Sequence, residues 1–225
     1  MVKPKKLEPN SRIGIVSPSY WLDKDDLKRS VKYFSDAGYN IKIGRSNHLQ
    51  NGPFAGTAQE RADDINEMFL NPDIDAILCA RGGYGANKVL PLIDYENIRS
   101  NPKIFLGYSD ITAYLTSITQ KTDLVTFHGP MLSSFREEFV QYNYDSMMNV
   151  LGLASSVTIS APKNVSPRIL RPGICKGEIW GGNLTLIANR LGSADSLKTN
   201  DVILFLEDVD EYLYSFERML IQLHN

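Results

Sequence analysis

The stretch IFLGYSDITAY, Ile104–Tyr114, joins an apolar run to a glycine, a serine and a second apolar-periodic segment. The apolar run is typical of a short buried strand, and the segment after Ser109 is typical of a helix. Gly107 eases a tight turn between the two, and Ser109 lies on that turn. A strand, a sharp turn and a helix in this order predict one unit of a parallel sheet whose faces are covered by helices.

The same alternation recurs on both sides of this stretch. Strands are predicted at RIGIVSPS, YNIKIG, DAILCA and LVTFHGP, and helices at DKDDLKRSVKYFSDAG, TAQERADDINEMFLNP and GANKVLPLI. Thr57 and Glu60 form a capping box at the start of one helix, and Gly38 is placed as the left-handed end of another. Short apolar strands that alternate with amphipathic helices predict an α/β fold with a parallel sheet covered on both faces.

Beyond about residue 135 the pattern changes. EEFVQYNYDSMMNVLG predicts one more helix, and the segment from Ser155 to Lys176 carries prolines and short alternating runs. VILFLED, Val202–Asp208, is a clear strand. We therefore expect an α/β domain over residues 1–150, a linker over about 151–164 and a smaller, β-rich domain over 165–225.

The last residues raise a separate expectation. YSFERMLIQLHN predicts a helix that Ser215 caps and in which Phe216, Leu220 and Leu223 share one face. The sequence stops as this apolar helix begins, without a terminating glycine or proline. We therefore expect the C-terminal domain to be incomplete in these 225 residues.

Composition narrows the classes of function. With 43% hydrophobic and 22% charged residues the chain has an ordinary globular composition, and its net charge of -2 gives no reason to expect nucleic acid or an anionic membrane as a partner. Neither a signal peptide nor a transmembrane run is found, so we expect a cytoplasmic protein. Three histidines and two cysteines without a cluster predict neither a metal nor another cofactor, and Cys79 and Cys175 are expected to be buried thiols.

Ser109 has two interpretations. A nucleophile between a strand and a helix is held on a tight turn, where the next backbone N–H favours a developing oxyanion. The surrounding residues are not G-x-S-x-G, so spacing alone leaves open that Ser109 or Asp110 only caps the helix.

The segment RGGYG, Arg81–Gly85, follows a strand and has three interpretations. Its paired glycines let the backbone approach a ligand, which suits one half of an oxyanion hole. A phosphate cradle is a rival, although neither G-x-G-x-x-G nor a Walker A pattern is present. The remaining alternative is a tight turn between strand and helix.

Two further segments are candidates. LEDVDE, Leu206–Glu211, places carboxylates at a strand end, where Glu207 either orients a catalytic histidine or belongs to a solvated acidic loop. WGGNL, Trp180–Leu184, either lines a peptide-binding cleft or forms a turn packed under the tryptophan.

Histidine is the weak element of a serine-peptidase interpretation, because the hydroxyl needs a base to take its proton. His48 lies in a polar loop, and His224 is next to the last residue. His128, in TFHGP, ends a strand near the sheet edge of Ser109 and is either a structural hydrogen-bonder or the base.

Six motifs occur together in a fixed order: RADDIN, ARGGYGANKVLPLID, PKIFLGYSDITAYL, TFHGPM, GEIWGGNLTLI and ILFLEDVDE. In this order they resemble the LD-carboxypeptidases, serine peptidase family S66, which include the microcin-immunity peptidases. The resemblance runs from about Arg12 to the last residue. It implies an α/β domain of flavodoxin-like or amidotransferase-like character and a smaller β-rich second domain.

The resemblance also implies a Ser-Glu-His triad. Ser109 matches the nucleophile and Glu207 the glutamate, and the oxyanion hole consists of the backbone N–H groups of Gly83 and Asp110. The family histidine comes from a later segment than any in this sequence, and His128 matches a motif that does not supply the base. We therefore expect the 225 residues alone to have negligible peptidase activity.

The implied reaction is the release of terminal D-alanine from a murein tetrapeptide during cell-wall recycling, by a metal-free enzyme. Tyr84, Trp180 and Asn183 are expected to contact the substrate, and the family leads us to expect a homodimer. Two alternatives stay open: cleavage of an amide in a peptide–nucleotide conjugate, and a binding module without catalytic activity.

Overall fold

The first five strands form one parallel sheet. A computed structural model describes residues 1–135, 141–152 and 156–225. The strands are β1 (Arg12–Val16), β2 (Asn40–Ile43), β3 (Ala76–Cys79), β4 (Ile104–Gly107) and β5 (Phe127–His128). Their spatial order is β2-β1-β3-β4-β5, with every pair parallel. This is the strand order of flavodoxin-like folds, so the predicted fold class is confirmed.

In the described residues, five α-helices accompany this sheet: α1 (Lys24–Asp36), α2 (Ala58–Leu70), α3 (Tyr95–Ser100), α4 (Thr112–Thr122) and α5 (Gln141–Gly152). The predicted capping box at the start of α2 is present, because Thr57 and Glu60 each accept a hydrogen bond from the other's backbone N–H. Gly38 has a φ of +90° and follows α1, as predicted.

Two apolar cores lie on opposite faces of the sheet, because successive strand side chains point to opposite sides. Phe105 of β4 packs with Phe69 and Tyr114 under α2 and α4. Its neighbour Leu106 belongs to the other core, which includes Phe34 of α1. This arrangement confirms the expectation that both faces of the sheet are covered.

The predicted helix at GANKVLPLI is wrong. The segment forms two short 3₁₀ turns, Ala86–Lys88 and Leu90–Leu92. Pro91 has no backbone N–H to donate, which disfavours a continuous α-helix. The α-helix starts later, where the Asp94 side chain accepts the Asn97 N–H at 2.9 Å and caps α3.

A second unit follows a segment, 156–177, in which no regular element is described. It contains β6 (Glu178–Asn183), α6 (Leu184–Asn189), β7 (Val202–Glu207) and α7 (Leu213–His224), and β6 pairs with β7 in parallel. The predicted strand in β7 is confirmed to within one residue. The first residues of the helix predicted at 137–152 lie outside the described residues.

Two predictions about single residues of the C-terminal segments are wrong. Ser215 does not cap α7, since the cap position is Tyr212 and Ser215 lies buried inside the helix. Cys79 is buried as expected, but Cys175 is exposed in the segment before β6. Apolar residues next to Cys175 in the sequence were therefore not a sign that its thiol is buried.

The second unit is bound to α4, the helix that follows Ser109. Arg190, which is 5% exposed, donates hydrogen bonds to the Ala113 carbonyl at 2.9 Å and to the Thr116 hydroxyl at 2.6 Å. The Asn183 N–H donates to the Thr112 hydroxyl at 3.0 Å.

No helix in the described ranges is long and apolar enough to cross a membrane.

Candidate active site

Ser109 lies in a left-handed backbone conformation directly after β4. Its φ of +60° is uncommon for a residue that carries a Cβ atom. A 3₁₀ turn, Ser109–Ile111, leads from this residue into α4. A strained residue between a strand and a helix holds a nucleophilic hydroxyl at the top of a sheet, which favours the catalytic interpretation.

The capping alternative is not what the structure shows. The cap position of α4 is Ile111, and no side chain caps that helix or the 3₁₀ turn before it. In the ranges that are described, the Ser109 hydroxyl has no hydrogen-bond partner, and the Asp110 side chain binds elsewhere. Capping of the helix therefore does not explain why a serine occupies this turn.

The paired glycines of the RGGYG segment lie against Ser109. A Cβ atom at Gly82 would lie 3.1 Å from the Ser109 Cβ and 3.3 Å from its Oγ. Gly83 has a φ of +132°, and a Cβ there would collide with the Tyr20 ring at 2.4 Å. Gly83 needs glycine, because its backbone is left-handed and backs onto an aromatic ring, and a side chain at Gly82 would lie tightly against the serine.

Two backbone N–H groups beside Ser109 are free to bind a ligand. The Gly82 carbonyl accepts the Tyr20 N–H at 3.3 Å, and the Gly82–Gly83 peptide bond is trans. Because C=O and N–H point in opposite directions in a trans peptide, the Gly83 N–H points away from Tyr20. Among the described residues neither this N–H nor that of Asp110 has an acceptor.

The Asp110 side chain joins the turn that carries Ser109 to the RGGYG loop. Its Oδ2 accepts the Ser19 hydroxyl at 2.5 Å and the Ala86 N–H at 3.1 Å. Burial raises the pKa of this carboxyl, against the lowering effect of the two hydrogen bonds and of nearby Arg61. The turns after β1, β3 and β4 are thereby connected through one buried carboxylate.

Glu207 ends β7 and pairs in register with Asn183, whose N–H binds Thr112 near the nucleophile turn. About a third of its side chain is exposed, yet its Oε1 is buried and has no hydrogen-bond partner. Burial raises the pKa of the Glu207 carboxyl, and the charge of Asp208 raises it further. A buried carboxylate oxygen without a hydrogen-bond donor is expected where the imidazole N–H of a catalytic histidine would bind.

The acidic segment LEDVDE is only partly a solvated loop. The Asp208 carboxylate accepts the Asn183 amide at 3.1 Å and the Thr185 N–H at 2.9 Å. It therefore fixes the end of β7 to the start of α6, next to Glu207. Glu211, by contrast, is exposed.

His128 is the histidine that the structure places near Glu207. Its Nε2 lies 3.9 Å from the Glu207 Oε1, and its ring packs edge-on against Phe205 with centroids 5.0 Å apart. Burial lowers the pKa of this imidazole. No hydrogen bond joins it to Ser109 within the described ranges, and His48 and His224 are exposed.

The three predicted substrate contacts differ in their surroundings. Tyr84 is 59% exposed beside the Phe54 ring. Trp180 lines a mainly apolar cavity of about 950 Å³ together with His128 and Phe205. The Asn183 side chain is buried and already engaged, because its oxygen caps α6 at the Leu186 N–H. Contact of these residues with a substrate stays a prediction.

Sequence reasoning missed two parts of this site. The link from Asp110 to Ser19 spans distant segments, so no local pattern announces it. Gly82 touches the serine, although Gly83 was the glycine chosen for the oxyanion hole. The pair of glycines was the available indication, but it does not say which one faces Ser109. No group of His, Cys, Asp or Glu in the described part of the chain is arranged to hold a metal ion.

A serine on a left-handed turn at the end of a parallel strand, beside free backbone N–H groups, is the arrangement of a serine hydrolase. Comparison with known protein families supports this class of enzyme. Residues 13–129 match the LD-carboxypeptidase N-terminal domain, and residues 176–225 match the LD-carboxypeptidase C-terminal domain. The chain belongs to the LD-carboxypeptidase family, serine peptidase family S66.

Individual relatives support this membership. The chain is 37% identical over 227 residues to the probable murein peptide carboxypeptidase of Bacillus subtilis, covering 98% of this chain and 69% of the relative. It is 33% identical to the Microcin C7 self-immunity protein MccF of Escherichia coli, covering 92% of this chain and 68% of the relative. A solved structure of MccF in complex with aspartyl sulfamoyl adenosine is similar with a TM-score of 0.88 and 31% identity, covering all of this chain and 76% of that one.

Proposed function

We propose that this protein is a serine carboxypeptidase that releases terminal D-alanine from a murein tetrapeptide during cell-wall recycling. The observation that carries the proposal is the left-handed Ser109, whose free hydroxyl lies against Gly82. A relative named as a probable murein peptide carboxypeptidase supports the substrate class. The scissile bond joins D-alanine to the L-centre of a diamino acid.

In this mechanism the Ser109 Oγ attacks the carbonyl carbon of the scissile amide and gives up its proton to a base. The N–H groups of Gly83 and Asp110 stabilise the oxyanion that forms. The protonated base donates its proton to the leaving D-alanine nitrogen, and water then hydrolyses the acyl-enzyme. Each oxyanion donor contributes roughly 10²–10³ in rate in comparable enzymes.

We assign the role of the triad acid to Glu207. Its buried Oε1 has no donor, so an imidazole N–H that reached it would gain a full hydrogen bond. Among the described residues, none of the three histidines connects this carboxylate to Ser109. We therefore propose that the base is a histidine outside these 225 residues and that these residues alone hydrolyse the tetrapeptide negligibly.

Labelling with a fluorophosphonate probe tests the nucleophile. In the protein that includes the proposed histidine, we expect covalent modification at Ser109, located by mass spectrometry, and its loss in Ser109→Ala. Ser133, which lies in a 3₁₀ turn outside the site, is the matched control, and Ser133→Ala should be labelled as the unaltered chain is. If the probe is not incorporated under any condition while the tetrapeptide still stabilises the fold, the protein is a binding module instead.

A second candidate function has one observation in its favour. MccF, a relative over nearly the whole chain, has been solved with aspartyl sulfamoyl adenosine, an aminoacyl–nucleotide compound. Cleavage of a peptide–nucleotide amide would use the same serine and oxyanion donors. Offering both substrates to protein that labels at Ser109 separates the two functions, and we expect D-alanine release to be the faster reaction.

We also propose that the protein acts in the cytoplasm and as a homodimer. The homodimer is an expectation from the family resemblance, and the cytoplasmic location is an expectation from the sequence, in which neither a signal peptide nor a transmembrane run is found. Sedimentation at micromolar concentration, which would give twice the mass of 25.3 kDa for a dimer, tests the second point.

A further inference from the structure

Arg81 begins the RGGYG segment beside Ser109 and has no part in the mechanism described so far. It immediately precedes Gly82, the glycine that touches Ser109. Its side chain is half-buried and extends toward the turn after β1, where the guanidinium lies 5.8 Å from the centre of the Tyr20 ring. The cation is therefore held on the same loop as Gly83, one of the two proposed oxyanion donors.

The interactions of Arg81 leave its charge uncompensated. Its Nη1 donates to the Trp21 carbonyl at 3.4 Å, which is a long hydrogen bond. The other contact is the face of an aromatic ring. No carboxylate in the described ranges forms an ion pair with it. An arginine fork in this state can still bind a carboxylate through two parallel hydrogen bonds.

Nearby cations are placed differently. Arg61 is 2% exposed and donates to the Pro18 carbonyl at 2.9 Å, so it is committed to the interior. Lys88 is exposed, with its Nζ 5.7 Å from the Phe54 ring on the outer side of the loop. Of these three cations, Arg81 is the one that combines partial burial with a position next to Gly82.

The substrate of a carboxypeptidase carries a carboxylate one residue beyond the bond that is cut. Adjacent Cα atoms are ~3.8 Å apart, so this carboxylate must lie within a few ångströms of the carbonyl that Ser109 attacks. We propose that Arg81 binds the terminal carboxylate of the substrate and thereby restricts cleavage to the last residue. This inference rests on the proposed function and names the residue that makes the enzyme an exopeptidase.

Arg81 would also separate the two candidate substrates. A tetrapeptide that ends in D-alanine offers the carboxylate, whereas an amide whose leaving group lacks a carboxylate leaves the guanidinium unpaired. A site with a cation at this point selects by charge as well as by shape.

The test measures binding, so it does not depend on turnover. Ser109→Ala of the full chain is titrated calorimetrically with the murein tetrapeptide and with the same peptide carrying a C-terminal amide. We expect the carboxylate form to bind about 10- to 100-fold more tightly, as a charge-assisted pair predicts. Adding Arg81→Met should bring this ratio close to one, and adding the matched control Lys88→Met should leave it unchanged.

Arg81→Lys guards against misfolding of the methionine variant, and thermal unfolding checks both. A lysine keeps the charge but not the fork, so the ratio should fall between the two values. A ratio that stays at the parental value in either Arg81 variant overturns the assignment of Arg81 while the proposed function stands. If neither peptide binds to Ser109→Ala at all, the proposed function itself fails, and the role of Arg81 fails with it.

Discussion

The Glu207 Oε1 lies 3.9 Å from the His128 Nε2, too far for a hydrogen bond, and no other group satisfies it in the described part of the chain. The pKa of the carboxyl is raised and that of the imidazole is lowered, both chiefly by burial. Each group is thus shifted toward its neutral form. An interaction with Asn183 lowers the pKa of Glu207, but burial and the charge of Asp208 outweigh it, so the charged form of the candidate acid is destabilised on balance.

Glu207→Gln is therefore expected to raise the stability of the fold at pH 7. The folded pKa of Glu207 lies above its unfolded value of about 4.3, so the native chain loses stability as the pH rises through this window. Glutamine does not titrate, so the difference in free energy of unfolding between the variant and the native chain should grow from acid to neutral pH. Solvent screening limits it to a few tenths of a kcal/mol.

Urea unfolding at a series of pH values measures this difference. Glu217→Gln is the matched control for loss of a carboxylate, because Glu217 is exposed on α7. A Glu207→Gln variant that is less stable than the native chain at pH 7 would contradict the prediction.

Ser109→Gly should be more stable than Ser109→Ala by about 1 kcal/mol, because only glycine adopts a φ of +60° without cost. Both variants lose the hydroxyl, so the comparison isolates backbone strain. At Ser35, an exposed residue of α1, the order should reverse, since glycine weakens a helix. Equal stability of the two Ser109 variants would mean that the turn is not strained.

Asp110→Ala should cost about 2–4 kcal/mol, because the Ser19 hydroxyl and the Ala86 N–H would both lose their acceptor. Asp110→Asn keeps a carbonyl oxygen for the two donors and should cost much less. We expect the alanine variant also to label more slowly at Ser109. Chemical unfolding and labelling rates check the two effects, and equal losses in both variants would argue against the bridging role.

Gly181→Ala should destabilise the second unit by about 3 kcal/mol or more. The backbone φ is +141°, and an added Cβ would lie 1.8 Å from the Phe205 carbonyl oxygen. Gly173→Ala is the control, because nothing lies within 4 Å of a Cβ there. Hydrogen exchange over 178–183 and 202–207 should accelerate only in the first variant. Unchanged protection in Gly181→Ala would show that the pairing of β6 and β7 tolerates the clash.

Local features of the fold were predictable from sequence. The capping box of Thr57 and Glu60 spans three residues, and the glycine after α1 is read from its position alone. The start of α3 depends on the Asp94 side chain, and the break before it depends on Pro91. The apolar residues of GANKVLPLI continue through Pro91, so a helix was predicted over 85–93 in error, and the short helix α3 after Asp94 was not predicted.

The candidate site was predictable in its residues but not in its contacts. The order of motifs predicts Ser109 and Glu207 as the nucleophile and the acid, and these roles stay predictions. The bonds that hold them, from Asp110 to Ser19 and from Asn183 to Thr112, join segments far apart in sequence. Such hydrogen bonds follow from the order of the strands and from the docking of the second unit on α4. The spacing of residues within one segment does not predict them.

The attachment of the second unit to α4 has a consequence for the life of the nascent chain. The ribosome delivers Ser109 and its glycine loop well before Glu207. Until Asn183 and Arg190 reach α4, the candidate acid Glu207 is not in its final place. On the proposed mechanism, the serine therefore stays harmless during synthesis at least until the second unit has docked.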